Sequence, residues 1–245
     1  MTRERPTDPR RAEVRQGLVS RLLALLGHAI KWLVLSLVFS ILTEWIGMAF
    51  WWPDEGLDHS RRMLATEIAY LQADFGRSLL SSDPVRFARS IVDTVYHVLF
   101  ELTRFVDLIE WLGSAPLPGE RGLRLWLHGL YGVVADYVLA AMQITQVFSV
   151  RLAILALAMP VFGMFSLVAI VDGLVQRDLR RWGGGRESSF VYHWAKRSAL
   201  PLLVLAWVIY LSLPFSLNPG FVVLPFATLF ALSVAVTAGT FKKYL

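Results

Sequence analysis

Residues 177–197 read RDLRRWGGGRESSFVYHWAKR. Six of the chain's 24 lysines and arginines and three consecutive glycines fall within this stretch, between two long apolar runs. Such a segment can be a phosphate-binding loop, a patch for nucleic acid, or the cytoplasmic face of a membrane protein. Its flanks decide. Upstream, residues 152–175 read LAILALAMPVFGMFSLVAIVDGLV, and downstream residues 199–217 are equally apolar. Runs of about 20 residues with almost no charge match a hydrocarbon core about 30 Å thick, and little else requires them. The fold class expected from this is all-α, a multi-pass membrane protein.

Two further runs complete the pattern, residues 32–52 (WLVLSLVFSILTEWIGMAFWW) and 221–241. Of the 245 residues 56% are hydrophobic, and mean hydropathy is +0.53. Asn218-Pro219-Gly220 is a turn signal joining the last two runs into a tight hairpin. Trp32, Trp51 and Trp52 are placed to sit at membrane interfaces.

Orientation follows from lysine and arginine. Residues 1–31 carry seven basic and three acidic residues, residues 176–198 six and two, and the tail ends Lys242-Lys243. Residues 53–151 carry nine basic and twelve acidic residues. Basic flanks stay in the cytoplasm. The expected order is therefore a cytoplasmic N-terminus (1–31), span 1 (32–52), a periplasmic helical domain (53–151) and span 2 (152–175). A basic cytoplasmic loop (176–198), span 3 (199–217), a short periplasmic turn (218–220), span 4 (221–241) and a cytoplasmic tail (242–245) follow. A bacterial inner membrane with both termini inside fits this count. A fifth span over 125–149 would bury His128, Asp136, Gln143 and Gln146, at roughly 2.5–3.5 kcal/mol for an ionisable group, and would leave an odd number. Residues 1–20 lack the layout of a signal peptide, and Pro6, Pro9 and the charges around them read as disordered.

The external region shows three helical patterns. Leu64, Ile68, Leu71, Phe75 and Leu79 form one face. Ser82-Asp83-Pro84 is a helix start, followed by a heptad stripe of Ile91, Val95, Val98, Leu102, Phe105, Ile109 and Leu112. After a loop containing Pro116 and Pro118, Leu123, Leu127, Leu130, Val134, Tyr137, Ala141, Ile144 and Phe148 repeat the alternation. No proline lies between Pro118 and Pro160, so this third helix is expected to continue into span 2 as one rod. The external part is then a helical stalk.

The chemistry is sparse. Zero cysteines exclude disulfides and thiolate ligands. The five histidines form no HExxH or comparable pair, so no metal or other cofactor is expected, and no nucleophile motif is present. Glu44 is a carboxylate inside span 1, a candidate for ion or proton handling or for a hydrogen bond to a neighbouring helix. Asp172, near the end of span 2, is expected to pair with Arg177 or a neighbour. Ala231, Ala235 and Gly239 form a small-residue row suited to close helix packing, within the chain or in a homo-oligomer.

In the basic stretch, Gly183-Gly184-Gly185-Arg186-Glu187-Ser188 lacks the spacing and the lysine of a P-loop. Arginines alone can attract DNA phosphates or acidic membrane lipids, so direct nucleic-acid contact stays open. Trp182, Tyr192, Trp194, Glu187 and His193 add aromatic and hydrogen-bonding capacity, which together with Arg177, Arg180, Arg181 and Arg186 makes a protein-docking surface.

Residues 172–197, DGLVQRDLRRWGGGRESSFVYHWAKR, resemble the hallmark stretch of the integrating conjugative element membrane protein family. The matching positions are Asp172, Gly173, Arg177, Asp178, Arg180, Arg181, Gly183, Gly185, Arg186, Glu187, Tyr192 and His193. Trp182 and Trp194 are not among them. The likeness extends to the order of spans. It implies a multi-pass inner-membrane protein of conjugative DNA transfer, encoded beside the coupling ATPase of a type IV secretion system. The family has no catalytic residues to carry over. The expected function is a non-enzymatic component that docks a partner such as the coupling ATPase through 176–198. The alternative is a small transporter or ion-conducting protein that uses Glu44.

Overall fold

The computed structural model describes residues 18–74, 83–115, 122–183 and 189–241. The basic N-terminal residues, Phe75, Leu79, the Pro116–Pro118 loop, Gly184, Gly185, Arg186, Glu187 and the Lys242-Lys243 tail lie outside these. The described residues form helices joined by turns, with no strand: α1 Leu18–Phe50, α2 Leu57–Asp74, α3 Pro84–Tyr96, a π turn His97–Glu101, α4 Phe105–Gly113, α5 Leu123–Gly183, α6 Ser189–Ser212 and α7 Gly220–Thr240. Four of them (α1, α5, α6 and α7) are long and apolar enough to cross a membrane.

The expected rod is present. α5 runs unbroken for 61 residues, about 90 Å at 1.5 Å per residue. An uninterrupted helix has no reversal between residues 125–149 and 152–175. Pro160 lies inside α5 and withdraws one ladder hydrogen bond without ending the helix.

α3 starts where Asp83 predicts it. The Asp83 carboxylate accepts the Arg86 N–H at 2.9 Å, and Pro84 occupies the first turn. The long heptad stripe that follows is not one helix. A π turn occupies 97–101, Arg104 takes the left-handed region at φ 56°, and α4 begins anew at Phe105. Leu102, counted in the seam, is 71% exposed. The stripe of α5 also shifts. Leu123, Leu130 and Val134 are exposed, because the nine-residue α4 covers only one side of this stretch. There His128 Nδ1 donates to the Leu112 carbonyl at 2.7 Å, and the Arg124 guanidinium lies 4.1 Å from the Trp111 ring centre.

The main core forms where α2 and α3 meet the middle of α5, the C-terminal end of α6 and the N-terminal end of α7. Leu71, Ala88, Phe148, Ala153, Ile154, Leu155, Tyr210, Leu211 and Val222 pack there. A second cluster, Ala158, Phe162, Ala206, Val223 and Ala227, continues down the bundle. α1 joins late. Its residues up to Trp32 are largely exposed, and Leu33 and Leu37 are the first to pack on the core. Ser36 then meets Ser212, the last residue of α6, at 3.3 Å. Further along, Trp45 donates to the Tyr137 carbonyl at 2.8 Å. The apolar run of α1 is thus staggered toward α2 and the first half of α5 relative to α6, and its second half is covered partly by the helices that follow it.

The helix ends also differ from the expected spans. α5 continues to Gly183 and α6 starts at Ser189, so most of the 176–198 loop is helical. α6 stops at Ser212, and the connection to α7 is a longer irregular segment in which Asn218 Oδ1 accepts the Gly220 N–H at 2.8 Å.

Candidate functional site

The basic stretch becomes the shared end of three helices. α5 supplies Arg177, Asp178, Arg180, Arg181 and Trp182, α6 supplies Tyr192, His193, Trp194 and Lys196, and α7 ends at Thr240, followed by Phe241. Arg180 and Arg181 occupy the last turn of α5, where cations complement the unsatisfied carbonyls and the negative end of the helix dipole.

The close meeting of α5 and α7 holds this end together. A Cβ on Gly173 would lie 2.4 Å from the Ala235 carbonyl oxygen and 2.8 Å from the Ala238 Cβ, which only glycine avoids. On the other side a Cβ at Gly239 would lie 3.3 Å from the Gly173 carbonyl oxygen and 3.6 Å from the Arg180 guanidinium. Ala235 and Gly239 therefore pack within the chain against α5. Ala231, one turn further, lines an open apolar groove with Val161, Phe165 and Ala169. Between α6 and α7, Ser233 donates to the Ala195 carbonyl at 2.6 Å, and the Ser198 and Ser233 hydroxyls meet at 3.0 Å.

Around this scaffold the charges face outward. Arg177 pairs with Asp178 at 3.2 Å, the two side chains 28% and 57% exposed. Asp172 accepts from Gln176, the neighbour of Arg177, at 2.7 Å, while Arg177 itself pairs with Asp178. Arg180, Arg181 and Arg197 make no ion pair with another described residue. Trp182 is 91% and Trp194 70% exposed. Tyr192 is tied down: its ring centre lies 6.0 Å from Phe241 and 5.3 Å from His193, with the Lys196 ammonium 5.8 Å away. Arg177, Arg180, Arg181, Trp182, Tyr192 and His193 are thus gathered at one end of the bundle, while Arg186 and Glu187 lie outside the described residues.

Glu44 has a partner that its sequence neighbourhood does not announce. The helix ends at Phe50, the chain turns, and His59 on α2 returns to place Nδ1 3.1 Å from both Glu44 oxygens. The His59 ring stacks on Trp52 at 4.0 Å. Trp52 in turn lies flat against Gly47, where a Cβ would fall 1.9 Å from the indole. The Trp52 Nε1 is buried with no hydrogen-bond partner among the described residues. Glu44 is 1% exposed, a carboxylate held by hydrogen bonding to a neighbouring helix.

The polar centre at mid-helix was absent from the expected site residues altogether. Arg151, at the head of the second apolar run, is fully buried. Its Nε donates to Glu67 at 2.8 Å and its Nη2 lies 2.7 Å from the same oxygen. Nη1 donates to the Leu213 and Tyr210 carbonyls at 2.6 and 3.3 Å, and Nη2 to that of Phe215 at 2.8 Å. The Tyr210 hydroxyl donates to the other Glu67 oxygen at 2.8 Å. One guanidinium thereby ties α2 to α5 and caps the carbonyls that α6 leaves open at its C-terminal end.

Searches of curated proteins and of solved structures return no match. A family profile does match, over residues 51–242, from α2 through α7, and its description is IncC plasmid conjugative DNA transfer protein DtrJ-like. The matched region takes in the Arg151 centre, the Gly173–Gly239 contact and the basic helix ends, and the chain belongs to this DtrJ-like family of conjugative DNA transfer proteins.

Proposed function

We propose that the chain is a non-enzymatic inner-membrane component of a conjugative type IV secretion apparatus, and that it docks a protein partner at the joined ends of α5 and α6. Family membership supplies the role in conjugative DNA transfer. The docking reading rests on one observation. Arg177, Arg180 and Arg181 stand at this end beside Trp182, which is 91% exposed, on a helix fixed against α7 by the Gly173–Gly239 contact. Tryptophan and arginine are the side chains that most often carry binding energy at protein interfaces. The coupling ATPase is the proposed partner, in keeping with the likeness of 172–197 to membrane proteins of integrating elements.

In this reading the basic ends face the cytoplasm, and α2, α3, α4 and the first half of α5 form the external, periplasmic part. With zero cysteines in the chain, single cysteines at Trp182 and at Asp58 report orientation directly by labelling with a membrane-impermeant maleimide. Labelling at Asp58 alone in intact spheroplasts is the expected result. The docking test is R180A/R181A/W182A in an affinity purification from membranes. The coupling ATPase is expected to be lost from the eluate while the variant inserts and melts as the parent does. Undiminished recovery of the ATPase would remove the docking surface from this end.

A further inference from the structure

We propose that the groove between α5, α6 and α7 at their basic end is a binding site for one anionic phospholipid. This rests on the membrane reading of the three helices, not on the docking of a partner.

The groove has a volume of about 300 Å³ and is lined by Ile170, Leu174, Val234 and Ala199 deeper in, with Arg177 and Lys196 also on its wall. Its polarity is ordered along α5 and α6. On α5 the lining residues are Ile170, Leu174 and Arg177, four and three apart and so on one face, with the cation nearest the helix end. On α6 Ala199 lies one turn deeper than Lys196. On α7 the wall is Val234, Thr237 and Ala238, ending at Phe241. An apolar trough that ends in two cations has the shape and charge order of a phospholipid, its acyl chain inward and its phosphate at the aqueous end.

Both cations are free to exchange partners. The Arg177–Asp178 pair is between adjacent residues and largely solvated, the kind of pair that contributes little. Lys196 has the Tyr192 ring 5.8 Å away and no carboxylate among the described residues. Its stem can lie along the groove while the ammonium reaches the headgroup level. Acidic lipid is attracted by basic segments at a membrane surface in any case. The groove adds a defined place for the chain, so the prediction is a discrete, saturable site and not diffuse adsorption. A partner's transmembrane helix is a poorer occupant, since two cations at one end of so narrow a trough ask for a compact negative charge there.

The test is native mass spectrometry of the full chain in mild detergent, titrated with phosphatidylglycerol or with phosphatidylcholine of the same acyl chains. The expected result is one saturating phosphatidylglycerol adduct, retained roughly tenfold or more over phosphatidylcholine, given the attraction of two cations. R177Q/K196Q should abolish the preference, whereas R61Q/R62Q, on α2, should keep it. V234W, which fills the trough and leaves both cations, should weaken retention of the lipid. Equal retention of the two lipids by the parent chain overturns the site. So does an R61Q/R62Q effect as large as that of R177Q/K196Q, which would mark diffuse charge. If R177Q/K196Q fails to fold, V234W decides: unchanged retention with native helix content also overturns the site. Loss of the ATPase from co-purification bears on the docking surface alone and leaves this result intact.

Discussion

Two groups of arginine occupy opposite situations on one helix. Arg151, near the middle of α5, is 1% exposed and meets carboxylate or carbonyl with every nitrogen. Arg177, Arg180 and Arg181, two to three dozen residues on, have solvent-facing partners or none among the described residues. The first group consumes its hydrogen-bonding capacity inside the fold. The second keeps it for something outside. A buried guanidinium is a strut, and its removal shows up in stability. An exposed one at a fixed helix end is a contact, and its removal shows up in binding.

The sharpest way to break this contrast is Glu67→Ala, which strands Arg151 in the core. Losing one member of a buried pair costs about 3–5 kcal/mol, so thermal unfolding in detergent, followed by circular dichroism, should show the largest drop of any single change considered. E67L/R151M removes both charges and should recover most of that loss. Failure to recover would mean that the carbonyl caps at Tyr210, Leu213 and Phe215 matter more than the ion pair.

Gly173→Val comes next. Its branched side chain has no room against the Ala235 backbone, and overpacking of this kind costs about 1–3 kcal/mol. Gly132→Ala is the control, since a Cβ there meets nothing within 4 Å. It should leave the melting temperature level or slightly raised. Equal effects at the two glycines would deny the close α5–α7 approach.

Glu44→Gln should be milder, because glutamine keeps one acceptor for His59. A loss of about 1–3 kcal/mol is the range for a compromised buried hydrogen bond. Conjugation assays of the same variant sharpen the functional choice. Abolished transfer with melting unchanged would favour an ion-handling role for Glu44 over a structural one. The smallest stability effect belongs to R180A/R181A/W182A, which should melt with the parent chain while losing its partner.

How much of this was legible beforehand depended on the range of the interaction. The start of α3 could be read because Asp83 and Pro84 act within one turn, and the continuity of α5 because 41 proline-free residues separate Pro118 from Pro160. The membrane-length helices followed from local composition. The break at 97–104 did not, because heptad spacing is blind to one extra residue in a π turn and to a left-handed Arg104. The buried face of α2 was read in part. Leu64 and Leu71 pack on the core and Ile68 is exposed, but Ser60, Met63 and Glu67 also face inward, and a search for apolar periodicity passes over Glu67. Its partner lies 84 residues away, at the boundary of an apolar run where an arginine is ordinarily read as a topogenic charge. His59 and Glu44 are only 15 apart, yet they meet because the chain reverses after Phe50, which neither residue encodes. Of the candidate site, the gathering of arginines and aromatics was readable. The α7 half of the clamp that holds it was readable in the row Ala231, Ala235 and Gly239; that Gly173 faces that row was not.

The length and placement of α5 have a mechanical consequence. The Arg151 centre lies almost at its midpoint, with some 30 residues, or about 45 Å, on either side. A rod gripped at its middle is a lever with equal arms. A tilt of about 5° about that grip would carry its two tips roughly 4 Å in opposite senses, given those arm lengths. No flexible linker intervenes to absorb the motion, and Pro160 is its one internal break in the hydrogen-bond ladder. Force applied near Leu123 would therefore arrive at Trp182 as displacement.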